Sequence, residues 1–266
     1  MAHNTHLRPA VPALESRLAA LLQRHGGGRG RGLLSITVAV PERAYPSLPF
    51  GLDEHHYWAN PADGVSLFGV GRAAQVETQG EGRFRAMDAA FAEYRRFWEA
   101  VDADGTGMQP VALAGFAFDQ NQRGASLPNA RLTVPTLLLQ RRGEVCAATF
   151  CCDRESSAES TLSTWMTNWH SLAAAHPAPG VANPARIETE PPDAAWLALA
   201  QRAVDDIGHG RLDKVVLSRR LRVRGARPFD PAAVMAALAQ RHADCYQFSM
   251  PKKGVGCFSV RRRNGW

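Results

Sequence analysis

No stretch of this chain is apolar for long enough to cross a bilayer, since no run approaches the ~18 residues a spanning helix needs. The opening residues, Met1-Ala2-His3-Asn4-Thr5-His6-Leu7-Arg8-Pro9, lack the apolar core of a secretory signal. Cysteine is scarce: Cys146, Cys151, Cys152, Cys245 and Cys257 form an odd set without zinc-ligand spacing. A disulfide framework is therefore not expected, and the reading is a cytoplasmic chain with reduced thiols and no membrane partner. No internal repeat is present, which excludes solenoid architectures. The stretch after Met250 carries Lys252, Lys253, Arg261, Arg262 and Arg263 and no acidic residue. The net charge of +6 arises almost wholly there, because the rest holds 26 basic against 25 acidic residues. A local excess of this kind, with no aromatic platform, gives no reason to expect a nucleic-acid partner.

What is present is an ordinary globular composition, 45% hydrophobic and 21% charged over 266 residues, enough to bury a substantial core. Leu14, Leu18, Leu21 and Leu22 share one stripe, predicting a helix from Leu14 to His25 that ends at Gly26-Gly27-Gly28. Leu34 to Val40 alternates as a strand. Val65 to Gly71 and Ala73 to Val76 read as a strand pair, and Phe84 to Val101 as a helix burying Met87, Phe91, Tyr94 and Trp98. Val111 to Phe118 is an apolar strand. Thr133 to Gln140 and Glu144 to Phe150 form a hairpin turning at Arg142-Gly143. A helix is expected over Thr161 to Ala175, then a proline-punctuated connector over 176–192. Asp193 is expected to cap an amphipathic helix to Ile207 whose apolar side holds Trp196, Leu199, Val204 and Ile207. Lys214 to Val223 reads as a strand, Pro231 to Arg241 as a helix and Cys245 to Met250 as a strand. Strands joined by hairpins outnumber helices in the first half, so the fold class is α+β with largely antiparallel sheets and packed helices.

Lys214 is the candidate for chemistry. At the mouth of a strand it is either a solvated edge residue or a lysine desolvated in a cleft, where burial frees the neutral amine to act as a base. Position alone leaves both readings open. Cys151-Cys152 ends an apolar strand and reads as packing. His55-His56 and His209 have no third ligand at a metal-binding spacing. The glycines of 26–32 lack a phosphate-loop pattern.

The run Ile207-Gly208-His209-Gly210, then Leu212-Asp213-Lys214-Val215-Val216-Leu217-Ser218-Arg219, a helix and Cys245-Tyr246-Gln247-Phe248, resembles the isochorismate synthases among the chorismate-binding enzymes. Tyr57-Trp58, Leu67-Phe68-Gly69-Val70-Gly71-Arg72-Ala73 and Ala114-Gly115-Phe116-Ala117-Phe118-Asp119 extend the likeness upstream. The resemblance implies chorismate as substrate and Lys214 as general base for water attacking C2. It implies a glutamic acid protonating the departing C4 hydroxyl from the opposite side, and Mg2+ held by downstream glutamates. It implies menaquinone or siderophore biosynthesis and a monomer if complete. Salicylate synthase, another chorismate-utilising enzyme and a non-catalytic fragment are the alternatives.

The family motif Gly-Ala-Thr-Pro-Glu-Arg-Leu, which carries that acid, does not follow Met250. In its place stands Cys257-Phe258-Ser259-Val260-Arg261-Arg262-Arg263-Asn264-Gly265-Trp266. Written as degenerate codons and read from the last base of the cysteine codon, this stretch permits Phe-Phe-Gly-Ala-Thr-Pro-Glu-Arg-Leu. The glutamate codon straddles Arg263 and Asn264. The expectation is a reading-frame slip between Met250 and Cys257, where Lys252-Lys253 implies a near-homopolymer. Residues 1–32 are then an N-terminal arm and helix, 33–250 the N-terminal part of an incomplete chorismate-binding domain, and 251–266 an aberrant basic tail expected to pack poorly. On that expectation the 266 residues hold the base without its acid and are inactive.

Overall fold

The computed structural model describes residues 11–26, 30–42, 54–121, 127–174, 184–226, 229–251 and 257–263. Contacts divide the chain into two units, Met1–Ala178 with Pro231–Trp266, and Pro179–Asp230. The architecture is α+β, as the hairpin-rich pattern implies. The division falls within the 33–250 region that the sequence reads as one domain.

The first unit is built on β1 (Leu33–Ala39), β2 (His55–Asn60), β3 (Val65–Val70), β4 (Ala74–Thr78), β5 (Trp98–Asp102), β6 (Leu113–Phe116), β7 (Ala130–Val134), β8 (Leu137–Arg142) and β9 (Val145–Asp153). Its helices are α1 (Val11–His25), α2 (Arg83–Arg96) and α3 (Ala158–Ala174). After the second unit the chain returns as α5 (Pro231–Arg241), β12 (Cys245–Pro251) and β13 (Cys257–Arg263). Eight strands form one sheet in the order β13-β12-β2-β3-β8-β9-β1-β5, antiparallel at every step except β1 with β5.

Alternation along these strands sorts the side chains onto two faces. Ile36, Phe150, Leu139 and Phe68 lie on one face, against Leu18 and Leu22 of α1, Trp165 and Trp169 of α3, and Met235 of α5. Trp165 donates its indole N–H to the Cys151 carbonyl at 3.0 Å, so its bulk is buried without an orphaned donor. The other face carries Thr37, Thr149 and Gln140, buried and linked at 2.9 Å each. Part of it is covered by Leu132 and Val134 of the three-stranded sheet β4-β7-β6 and by Met87 of α2. Glycine is required at 69, where a Cβ would stand 2.6 Å from the Pro135 ring.

Several boundaries differ from the sequence reading. Gly71, at φ 68°, turns the chain out of the large sheet, so β3 and β4 join different sheets and do not pair. The second helix stops at Arg96, and Trp98–Asp102 pairs parallel with β1. The Trp98 indole N–H reaches Ser35 Oγ at 3.1 Å, so an open sheet edge outweighs the helical spacing of Trp98. The strand expected over Thr133–Gln140 is cut by Pro135-Thr136 into β7 and β8, as a proline without an N–H requires. The hairpin turn itself is present at Gly143, φ 60°. The basic tail is not wholly separate: Cys257–Arg263 pairs with β12 as the outer strand of the sheet, with Arg261 at the register position of Gln247. The poor packing expected of its side chains lies outside the described residues.

The second unit holds β10 (Pro184–Glu190), α4 (Asp193–Gly208) and β11 (Arg220–Gly225), with β10 and β11 antiparallel. Asp193 is the first helical residue and not the cap, which is Pro192. The strand expected from Lys214 begins only at Arg220. Alternation can propose a strand, but a ladder needs a neighbour, and β10 reaches only residues 220–225. None of this unit's described residues is buried.

Candidate active site

Lys214 lies in a segment without regular secondary structure between α4 and β11. At the end of α4, the Arg211 and Leu212 N–H groups donate to the Asp206 carbonyl at 2.9 and 3.3 Å, and Gly210, φ 69°, makes the turn. Arg211 also donates from Nε to Asp206 Oδ1 at 2.8 Å. At the far end of the segment, Arg219 donates to Asp193 Oδ1 at 2.6 Å and sits 5.6 Å over the Trp196 ring. The 16-residue helix is about 24 Å long. Residues 211–219, extended, span about 26 Å. The lysine segment thus runs back along α4, pinned to Asp206 near its last turn and to Asp193 at its first. These pairs couple residues 5 and 26 apart, and only the nearer one is open to sequence inspection.

Between the pins, residues 212–218 are all exposed, Lys214 included. Among the described residues no hydrogen bond or ion pair holds the amine. A cleft of about 340 Å³ exists in the first unit, walled by Arg31, Leu33, Tyr94, Phe97, Asp153 and Glu155, and Lys214 is not part of it. The position aligned with the expected acid, Asn264, falls outside the described residues.

The discounted residues behave as packing groups. Cys151 and Cys152 are buried at the end of β9, and burial raises both thiols, Cys152 to about 11. His55 and His56 are buried in β2, with His55 Nε2 3.2 Å from Ser249 Oγ. Burial, aided by the charges of His55, Arg131 and Arg72, pushes His56 down to about 4. His209 is an exposed residue whose Nδ1 lies 2.6 Å from the Asp205 carbonyl oxygen. No group of three or more His, Cys, Asp or Glu side chains among the described residues could hold a metal ion; the magnesium ligands that the resemblance implies are downstream glutamates and not these residues. No described helix is long and apolar enough to cross a membrane.

A family described as "Chorismate binding enzyme" matches residues 29–259. The chain belongs to that family. Among its curated relatives is the isochorismate synthase MenF of Escherichia coli, 29% identical over 177 residues, covering 66% of this chain and 38% of the relative. The salicylate biosynthesis isochorismate synthase of Pseudomonas aeruginosa is 26% identical over 221 residues, covering 76% of this chain and 43% of the relative. The chain therefore spans less than half the length of either. A solved structure of E. coli MenF, titled as the menaquinone-specific isochorismate synthase, shares the fold with a TM-score of 0.65 and 22% identity, covering 93% of this chain and 55% of that one.

Proposed function

We propose that this chain carries the base-bearing part of an isochorismate synthase, the enzyme that converts chorismate to isochorismate. The observation that supports this most is Lys214 within Ile207–Arg219, directly after the glycine turn, inside a family match that spans 29–259. Two relatives named as isochorismate synthases add weight. In the proposed reaction the Lys214 amine takes a proton from water as the water oxygen bonds to C2. The ring double bond shifts, the C4–O bond breaks, and an acid protonates the leaving hydroxyl. One water is added and one is lost, so substrate and product are isomers. Water is a poor nucleophile and hydroxide a poor leaving group, which is why base and acid act from opposite faces.

Lysine becomes a base when removal of water favours its neutral form. Nothing among the described residues buries Lys214. The chain is therefore proposed to be inactive, because Lys214 is exposed to water and its charged form is favoured. Magnesium, if the enzyme uses it, takes its ligands from elsewhere, and no step of this reading runs through it. The test compares the 266-residue chain with a polypeptide that continues in the alternative frame after Met250 and on through the family's remaining sequence. Both are assayed for isochorismate from chorismate with magnesium. Product from the longer polypeptide alone is expected; equal product from both would refute the inactivity, and none from either would refute the isochorismate synthase reading.

A further inference from the structure

The chain passes from β4 into α2 through Gln79-Gly80-Glu81-Gly82, a glycine-rich loop between a strand and a helix. Gly80 takes φ 78°, and a Cβ built on Gly80 or Gly82 would meet no atom within 4 Å, so there is room over the loop. Helix α2 begins there uncapped: Gly82 offers no side-chain acceptor, and no acidic residue stands in the first turn. The Phe84 and Arg85 N–H groups therefore lack the acceptor that a capping side chain supplies. Arg83 adds a buried cation at the same end, being 5% exposed. Its backbone N–H and its Nη1 both donate to the Gly80 carbonyl at 3.2 Å, which sets the guanidinium beside the loop. Nη2 donates to the Ala117 carbonyl at 3.3 Å, and Nε is buried with no acceptor. The guanidinium lies 4.3 Å over the Phe84 ring. Among the described residues no carboxylate pairs with it, and Glu81 in the loop is exposed. Arg131 and Arg154, both less buried, are paired with Glu77 and Glu99.

We infer that residues 80–85 form a binding site for a small oxyanion, the carboxylate or phosphate group of a ligand. A helix N-terminus carries a partial positive charge, so a cation placed against it is disfavoured and an anion is favoured. Arg83 puts a full positive charge there and takes it out of water, which is costly without a counter-charge. One oxyanion compensates both. It accepts from the Phe84 and Arg85 N–H groups, as anions do at the glycine-rich start of a helix. It also accepts from the guanidinium, which has five N–H donors and gives two of them to carbonyls. Charge-assisted bonds of this kind are the stronger class. Every residue of the site belongs to the first unit, and the inference does not rest on the isochorismate synthase reading.

The experiment titrates the full 266-residue chain with sodium phosphate and, separately, sodium acetate, each against sodium chloride at matched ionic strength. Backbone amide shifts are followed by NMR at Gly82, Phe84 and Arg85. Expected are saturable shifts at these residues with at least one of the two anions; saturation by phosphate alone or by acetate alone assigns the group the site takes. Two variants locate the binding. Arg83→Met removes the charge and should weaken the apparent affinity at least tenfold. Gly82→Asp places a carboxylate of the chain itself at the helix start, on an exposed residue with room for a side chain. It should abolish the saturable response and raise the melting temperature by roughly 2–4 °C. If Arg83→Met does not fold, Gly82→Asp decides alone. No saturable shift with either anion overturns the site. A saturable shift that persists unchanged in Gly82→Asp, or in a folded Arg83→Met, also overturns it.

Discussion

Leu139 and Leu197 offer one chemical deletion in two environments, and the structure fixes how differently each should respond. Leu139 is fully buried in β8, in the same core as Phe68, Phe150 and Trp165. Leu197 is 67% exposed on α4. Truncating a fully buried leucine removes its transfer free energy and leaves a cavity that the surroundings only partly refill, a cost of about 2–5 kcal/mol. The central strand positions on either side of Leu139 are tied into ladders with β3 and β9, so the site has little freedom to collapse. The upper part of that range is expected. Leu197→Ala removes little buried area, and exposed substitutions fall within about 0.5 kcal/mol. For a folded body of this size each kcal/mol moves the melting temperature by roughly 2–4 °C. Leu139→Ala should therefore lower it by roughly 7–20 °C, and Leu197→Ala by no more than about 2 °C. The assay is thermal unfolding of the 266-residue chain by tryptophan fluorescence, which reports Trp165 and Trp169 beside the deleted group. Equal shifts from the two variants would refute the claim that the first unit holds the cores and that the described residues of the second hold none.

Acid should weaken the fold through His56. Its folded pKa of about 4 lies below the ordinary 6.5, so the unfolded chain binds the extra proton first. Stability is then full above about pH 6.5 and is lost as pH falls towards 4, by about 3 kcal/mol at most. Urea titrations across that window should show the slope, flattened in His56→Phe; an unchanged slope in the variant would remove His56 as its source. Cys146, Cys151, Cys152 and Cys245 are buried. Residue-resolved alkylation should label them only under denaturant, and rapid native labelling of Cys151 would contradict the packing at the end of β9. In the longer enzyme, Lys214→Ala should lower turnover by roughly 10²–10⁴-fold, and near-normal turnover would exclude the lysine from the mechanism.

Where local chemistry decides a boundary, the sequence alone places it well. Pro231–Arg241 reads correctly because Asp230-Pro231 starts the helix and His242 lies past its end. The β8–β9 turn reads correctly because Gly143 takes φ 60°. The misreadings share a different cause. Trp98 continues the spacing of Met87, Phe91 and Tyr94, yet the free edge of β1 claims 98–102 as a strand. Ala73 to Val76 looks like the return of a hairpin, yet Ala74–Thr78 pairs with β7, more than fifty residues onward. Val215 and Leu217 alternate like Leu221 and Val223, but only the second pair has β10 beside it. Residue pattern records what a segment can do; its neighbours determine what it does. Lys214 was found through its surrounding motif, but its exposure could not be read from sequence. Burial is a property of whatever packs on a residue.

The same distinction separates stability from chemistry in this molecule. The eight-stranded sheet buries Ile36, Phe68, Leu139 and Phe150 on one face and a satisfied Thr37–Thr149–Gln140 line on the other. Lys214 stands in the other unit, on a segment held only at its ends by Asp206 and Asp193. Substitutions at Leu139 should therefore change folding, while substitutions at Val216, 91% exposed, should leave folding of the first unit intact. That separation follows from where the apolar residues are buried.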